Sequence, residues 1–396
     1  MGILETLYAK LDQKQERMIE IRRFLHKHPE LSFEEAETSA FIIDFYKNMD
    51  VVVRKNVGGY GVVVTIDSGK PGINIACRAD FDALPITEET GLPFASENLG
   101  VMHACGHDGH TAYLLILAET LNEMKAEFTG KITLIHQPAE EKPPGGAIAM
   151  IEDGCLDGVD EVIGIHLMAN EAVGIIDWRK GPCMTGGAII EIKVQGKGGH
   201  GAMPQTAIDS ILVGSEIVTT LQSIVSRRIG PFQSAALSIG SFDGVGASNV
   251  ISDSIILRGT LRFIDNDVRD IALVEIERIV KGICLAYGAS YECNLEQGYP
   301  VTVNDEKLSE FIFESLSTAD IPEVREIVYG AIKEPSEDFS HYGHYRPACY
   351  FFVGARPEDK PDFPHHHPKF DISEKALLIA AKAIGTVVVD KLTENK

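Results

Sequence analysis

Residues 131–166 read KITLIHQPAEEKPPGGAIAMIEDGCLDGVDEVIGIH, and this stretch decides the fold. KITLIHQP is an apolar strand-like run, Ala147–Asp153 has helical spacing, and EVIGIHL is a second strand-like run. Strands alternating with helices predict a mostly parallel sheet covered on both faces. The alternation continues outward. GVVVTID (61–67) and INIACRAD (73–80) read as strands, and Thr111–Lys125 as a helix. Helical periodicity covers Leu4–His28 and Phe33–Asn48 near the start. Towards the end, Glu306–Leu316 reads as a helix, CYFFVGA (349–355) as a strand and Glu374–Leu392 as a helix.

The middle departs from this pattern. AIIEIKVQG (188–196) is strand-like, Ala207–Arg228 is a long amphipathic helix, and SAALSIGSF (234–242) and SIILRGTLRFI (254–264) are consecutive strands. Val268–Tyr287 is a second long helix, and ASYECNLEQGY (289–299) a last strand. The order β-α-β-β-α-β is the split, ferredoxin-like pattern. The expected fold is therefore α/β in two domains. A mostly parallel αβα domain over residues 1–182 and 299–396 is interrupted by a ferredoxin-like α+β satellite over 183–298.

The 396 residues carry 36 Lys+Arg against 58 Asp+Glu, a net charge of −22. That balance argues against a nucleic-acid binder, which needs a basic surface, and offers no basic stripe to an anionic membrane. No apolar run approaches the roughly 18–20 residues that span a bilayer. The charged, amphipathic N-terminus lacks the marks of a secretory signal, so a cytoplasmic location is expected. The seven cysteines, Cys77, Cys105, Cys155, Cys183, Cys284, Cys293 and Cys349, form no CxxC pair. In a cytosolic chain they read as small buried side chains rather than disulfides. Cys105 has different neighbours.

MHACGHDGH (102–110) puts a thiol and three imidazoles within nine residues, with glycines that let a loop curl. Glu140 and Glu141 follow KITLIHQP, His166 ends EVIGIH, Asp80 and Asp82 follow INIAC, and HHHPKFD closes the set near the C-terminus. In open α/β sheets, sites form beyond the carboxyl ends of the parallel strands. These side chains are therefore expected to gather at one sheet edge. A thiolate, imidazoles and carboxylates gathered there make a divalent transition-metal site, with zinc or manganese the expected ion. The paired carboxylates divide the work: one binds metal, and the other takes a proton from a water that the metal has made acidic. His26, His28, His341 and His344 lie outside this pattern and read as packed or surface histidines.

These motifs resemble those of the metal-dependent aminoacylase/carboxypeptidase superfamily, in its amidohydrolase branch of hippurate, indole-acetyl–amino acid and N-acetyl-diaminopimelate hydrolases. The resemblance runs from LHKHPELSFEE (25–35) through RADFDALP, MHACGHDGHTA, QPAEE and GIHL to GKGGHGAMP, SNVIS, GTLR, SEDF and HHPKFD. It implies two divalent metals held by Cys105, His107, Glu141, His166 and His366. The last is chosen from HHHP by a His-x-Pro pattern. It implies that Glu140 is the general base, with Asp82 a supporting acid. His200, in GKGGHGAMP, is implied to stabilise the oxyanion, and Asn249 and Arg262 to contact the substrate's carboxylate. The implied reaction is hydrolysis of an N-acyl amino acid to a carboxylic acid and an amino acid; a dipeptidase or carboxypeptidase with the same machinery is the alternative. A homodimer or higher homo-oligomer through the satellite domain is also implied. Two segments depart from the branch. Lys142-Pro143-Pro144 follows Glu-Glu where glycines are usual, and Met168-Ala169 stands where an aromatic-proline pair is usual. Neither removes a ligand, but both bear on which acyl group is accepted.

Overall fold

The structure, a computed structural model, describes residues 2–358, 360–361 and 363–393. It divides into two compact units. One comprises Met1–Cys183, Val303–Ala331 and Asp338–Lys396, the other Met184–Thr302 and Ile332–Glu337.

The first unit is built on a mixed sheet, eight-stranded among the described residues. Named by their first residues, the strands lie in the order Val52, Gly61, Lys131, Asn74, Glu161, Ala348, Ile175, Glu326. Its centre is parallel: Asn74–Asp80 pairs with Lys131–Gln137 on one side and Glu161–Ala172 on the other, and the latter pairs with Ala348–Arg356. Every residue of Asn74–Asp80 is buried, so both faces of the sheet are covered there, as an apolar parallel strand requires. The edge is antiparallel, with Gly61–Asp67 between Val52–Val57 and Lys131–Gln137. A single core includes Leu114, Leu117, Ile132, Leu134, Ile163, Phe351 and Ile384.

Several helix boundaries differ from the sequence reading, and the helix expected from Thr111 already starts at His107. The expected Leu4–His28 helix is two, Ile3–Gln13 and Gln15–Lys27. Lys14 leaves helical geometry between them, at φ −105° and ψ 3°. Its amine pairs with Glu119 at 3.0 Å and Glu123 at 2.7 Å on the helix His107–Glu123. The expected Phe33–Asn48 helix is Ala36–Tyr46, because Phe33 sits at φ 70° and the Glu30 carboxylate accepts the N–H groups of Glu37 and Thr38. The helix expected from Ala207 starts at Ser210, where Asp209 accepts the N–H groups of Ile211 and Leu212.

The first helices are tied to the rest by a buried arginine. The Arg22 side chain is 1% exposed and reaches Asp108 at 2.8 Å, Asp371 at 3.1 Å and Glu374 at 3.4 Å. Removing one partner of such a cluster leaves buried charge without compensation, at about 3–5 kcal/mol. Arg22→Met is therefore expected to lower unfolding stability by about that amount, read from denaturant midpoints.

The second unit has a four-stranded antiparallel sheet ordered Ala235–Asp243, Ser254–Phe263, Gly186–Gln195, Ser290–Gln297. With helices Ser210–Arg227 and Asn266–Tyr287 this is the β-α-β-β-α-β arrangement. It has its own core, which includes Ile190, Ile192, Val213, Ile217, Leu257 and Ile276.

Candidate metal centre

The central strands deliver the site. Asp80 ends Asn74–Asp80 and Asp82 follows it. Lys131–Gln137 leads into Glu140 and Glu141. His166 lies within Glu161–Ala172 rather than at a strand end, which corrects the expectation. That strand pairs with Asn74–Asp80 only as far as Gly164, so His166 stands past its neighbour's last rung. Gly106, at φ 94°, turns the chain into the helix that begins at His107. The second glycine of CGHDGH serves packing instead. A Cβ on Gly109 would come within 2.8 Å of Leu167 and 2.9 Å of Ile372.

Two triads of potential ligands share one thiol. Cys105, His107 and Glu141 offer atoms within 4.8 Å of one another, and so do Cys105, His166 and His365. Cys105 Sγ is 3.5 Å from His166 Nε2 and 3.6 Å from His365 Nδ1. Glu141 Oε1 is 3.9 Å from His107 Nε2 and 3.2 Å from His366 Nε2. The neighbourhood thus holds all five ligands that the resemblance implied, with His365 in addition. The His-x-Pro spacing in HHHP selects its neighbour His366 and so does not point to His365. The third histidine, His367, accepts the Lys369 N–H through Nδ1 and stacks on Phe363, so it shapes the turn.

The histidine rings are fixed from behind. His107 Nδ1 lies 3.0 Å from Asp82 O and 3.1 Å from Asp82 Oδ1, and His166 Nδ1 lies 2.9 Å from Leu167 O. If each Nδ1–H donates there, each Nε2 faces the triads with a free lone pair. Asp82 also accepts the Glu141 N–H at 2.9 Å and the Ser32 hydroxyl at 2.7 Å. Of the other imidazoles in MHACGHDGH, His110 is used on both sides, by Asp80 at 2.6 Å and by the Leu167 N–H at 3.0 Å. His103 is buried and makes no hydrogen bond.

Further back, Arg78 lies 2.5 Å from Asp80 and 2.8 Å from Asp338. Asp338 also accepts from Gln137 and from the Ala147 N–H. The SEDF motif therefore supplies Asp338 as a buried brace, a role its spacing did not announce.

The donor set fits a cation. His107 Nε2 and Glu141 Oε1 are buried and have no hydrogen-bond partner. Burial, and then the charges of Glu141, Glu140 and Asp80, push the Cys105 thiol well above its ordinary pKa. For His107, burial favours the neutral ring, but the charges of Asp80, Asp82 and Glu141 outweigh it and push the pKa up to about 10. Burial, with His110 and His365 nearby, holds His166 neutral. The pocket thus gathers more anionic donors than its own cations balance, and a divalent ion would restore that balance.

The remaining three residues lie in the second unit. His200 and Val250 pair across a short ladder, and the Gly201 N–H donates to Asn249 O at 2.8 Å, so His200 and Asn249 are neighbours. Arg262 stands on Ser254–Phe263, opposite Gly187, and makes no ion pair among the described residues.

Comparison with known proteins gives the family. The model of Peptidase family M20/M25/M40 matches residues 76–390. An N-acyl-L-amino acid amidohydrolase of Geobacillus stearothermophilus is 42% identical over 300 residues, 76% of this chain and 81% of that protein. Thermostable carboxypeptidase 1 of Saccharolobus solfataricus is 39% identical over 393 residues, covering 98% and 99%. The crystal structure of YXEP from Bacillus subtilis, described as a dinuclear metal-binding peptidase, superposes with a TM-score of 0.82 at 32% identity, covering 96% and 99%. With that match over most of its length, the chain belongs to Peptidase family M20/M25/M40.

Proposed function

We propose that this protein hydrolyses the amide bond of N-acyl amino acids, using two divalent ions held by Cys105, His107, Glu141, His166 and His366. The observation that carries the reading is the pair of triads sharing Cys105, with His107 Nε2 and Glu141 Oε1 buried and without a hydrogen bond. The Geobacillus relative's name supports the acyl amino acid, and the Saccharolobus relative's name supports the carboxypeptidase alternative. Zinc or manganese is the proposed metal, and a thiolate among imidazoles favours zinc.

When bound, the two ions supply an acidic water and polarise the amide carbonyl. The protein's part is positional. Asp82 and Leu167 orient the two imidazoles, and Asp82 also holds the Glu141 backbone. Glu140, 6% exposed, accepts the proton of the attacking water and returns it to the leaving amine. To His200 we assign stabilisation of the oxyanion, and to Asn249 and Arg262 the substrate carboxylate. An Arg fork matches that group geometrically. A homodimer and a cytoplasmic location complete the proposal. They rest on the resemblance and on the charge and N-terminal character of the sequence.

The test is amine release from N-acetyl, N-benzoyl and indole-acetyl amino acids beside dipeptides, with Zn²⁺ or Mn²⁺ added. Metal-dependent release, fastest from an N-acyl amino acid, is expected. Faster cleavage of dipeptides would favour the peptidase alternative, and metal uptake without cleavage of any member would remove the hydrolase reading.

A further inference from the structure

The segment HPELSFEE, residues 28–35, presents no side chain to the triads, yet it is bonded to two chain segments beside them, at Asp82–Ala83 and at Ala139. Glu30 O accepts the Ala83 N–H at 2.8 Å, just past Asp82. The Ser32 hydroxyl donates to Asp82 at 2.7 Å. Glu35 Oε1 accepts the Ala139 N–H at 2.8 Å, directly before Glu140. Glu35 is fully buried, and its other oxygen, Oε2, makes no hydrogen bond. A carboxyl in such a place is costly to keep, so its contact with a segment over a hundred residues away is informative.

That contact falls on a strained residue. Ala139 has φ 56°, a left-handed conformation unfavourable to an L-residue with a Cβ. Strained backbone persists only where its surroundings over-determine it. Here the two sides of the turn are both held: the Ala139 N–H by Glu35, and the Ala139 carbonyl by the Gly146 N–H at 3.1 Å. The turn sets the direction in which the chain leaves Lys131–Gln137, and Glu140 is the next residue. Glu141 has a separate anchor, since its N–H goes to Asp82.

We propose that Glu35 is a positioning residue: through the Ala139 N–H it fixes the place of Glu140 and leaves the metal ligands untouched. The inference rests on the reading of Glu140 as general base. It gives two carboxylates that adjoin each other in sequence separate supports, with Glu35 serving Glu140, the proton-transfer carboxylate, and Asp82 serving Glu141, the metal-facing one.

The experiment compares Glu35→Met, Glu35→Gln and Glu140→Gln in the metal-loaded enzyme, with the panel substrate turned over fastest. Met and Gln are alike in length and differ in the acceptor. Glu35→Met is expected to lower kcat about 10–100-fold, the scale of a misplacement near 1 Å. KM and bound metal, measured by elemental analysis, should stay at wild-type values. Glu35→Gln should restore kcat to within about threefold, because its amide oxygen can accept the same N–H. Wild-type kcat in Glu35→Met, an equal loss in Met and Gln, or a loss that follows missing metal would overturn the proposal. If Glu35→Met does not fold, Glu35→Asp withdraws the acceptor by one methylene and takes its place. Equal kcat in the Asp and Gln variants then counts against the idea. Glu140→Gln keeps the two readings apart: full activity there would sink the general base itself, whatever Glu35 does.

Discussion

Glu140→Gln is expected to lower kcat by about 10²–10⁴-fold, the usual contribution of a positioned proton-transfer group. The change is nearly isosteric, so packing around this 6%-exposed side chain is kept. The amide can accept a hydrogen bond from water, but it cannot carry the proton to the leaving amine. Glu141, held through its own N–H by Asp82, is not disturbed. Metal content should therefore stay at the wild-type value while turnover collapses, with KM little changed. Titration calorimetry with zinc, run beside steady-state kinetics, checks both halves. A variant that loses metal and activity together would make Glu140 a ligand, and one that keeps its activity would remove it from the reaction.

Stripping the metal is the second large effect. Dialysis against a chelator is expected to abolish turnover and to lower the melting temperature, with both restored by adding back zinc or manganese. Without ions, the pocket keeps His107 Nε2 and Glu141 Oε1 buried and without a hydrogen bond. An ion at about 1,000 times its Kd stabilises the fold by about 4 kcal/mol. Ion entry also requires deprotonated donors, while burial and neighbouring carboxylates hold a proton on Cys105, and carboxylates hold one on His107 up to about pH 10. Binding thus releases protons, and affinity falls as pH falls. The check is a thermal melt at several pH values with and without zinc. A melting temperature that ignores both chelator and zinc would show that the pocket does not take an ion in the folded protein.

Much of the site was legible because its chemistry sits at strand ends. KITLIHQP announces Glu140 and Glu141, and INIACRAD announces Asp80 and Asp82, since an apolar run that stops at a charge marks where a parallel strand surfaces; His166 instead lies inside its strand. The ferredoxin-like order of the insert was legible for a similar reason, its helices and strands having distinct periods. What stayed hidden depends on contacts between distant residues. Nothing local in HHHP shows that His365 faces Cys105 while His367 turns away. Arg22 looks like one more charge on an amphipathic helix until Asp108, Asp371 and Glu374 close around it. The break at Lys14 follows from a pairing with residues over a hundred positions away. Glu35 falls within the expected Phe33–Asn48 helix with nothing to set it apart, and only the fold brings it to Ala139.

The matched segment of the family begins at residue 76, yet Arg22, His26, Ser32 and Glu35 all lie ahead of it. His26 Nδ1 lies 2.8 Å from Asp108, the residue after His107, and Arg22 meets the same carboxylate. A chain trimmed to residues 76–390 would retain Cys105, His107, Glu141, His166, His365 and His366 and lose the side chains that hold Asp82, Asp108 and Ala139. The span that the family's model matches is thus smaller than the set of residues that hold the site. Grafting or minimising the catalytic unit must carry these first helices along.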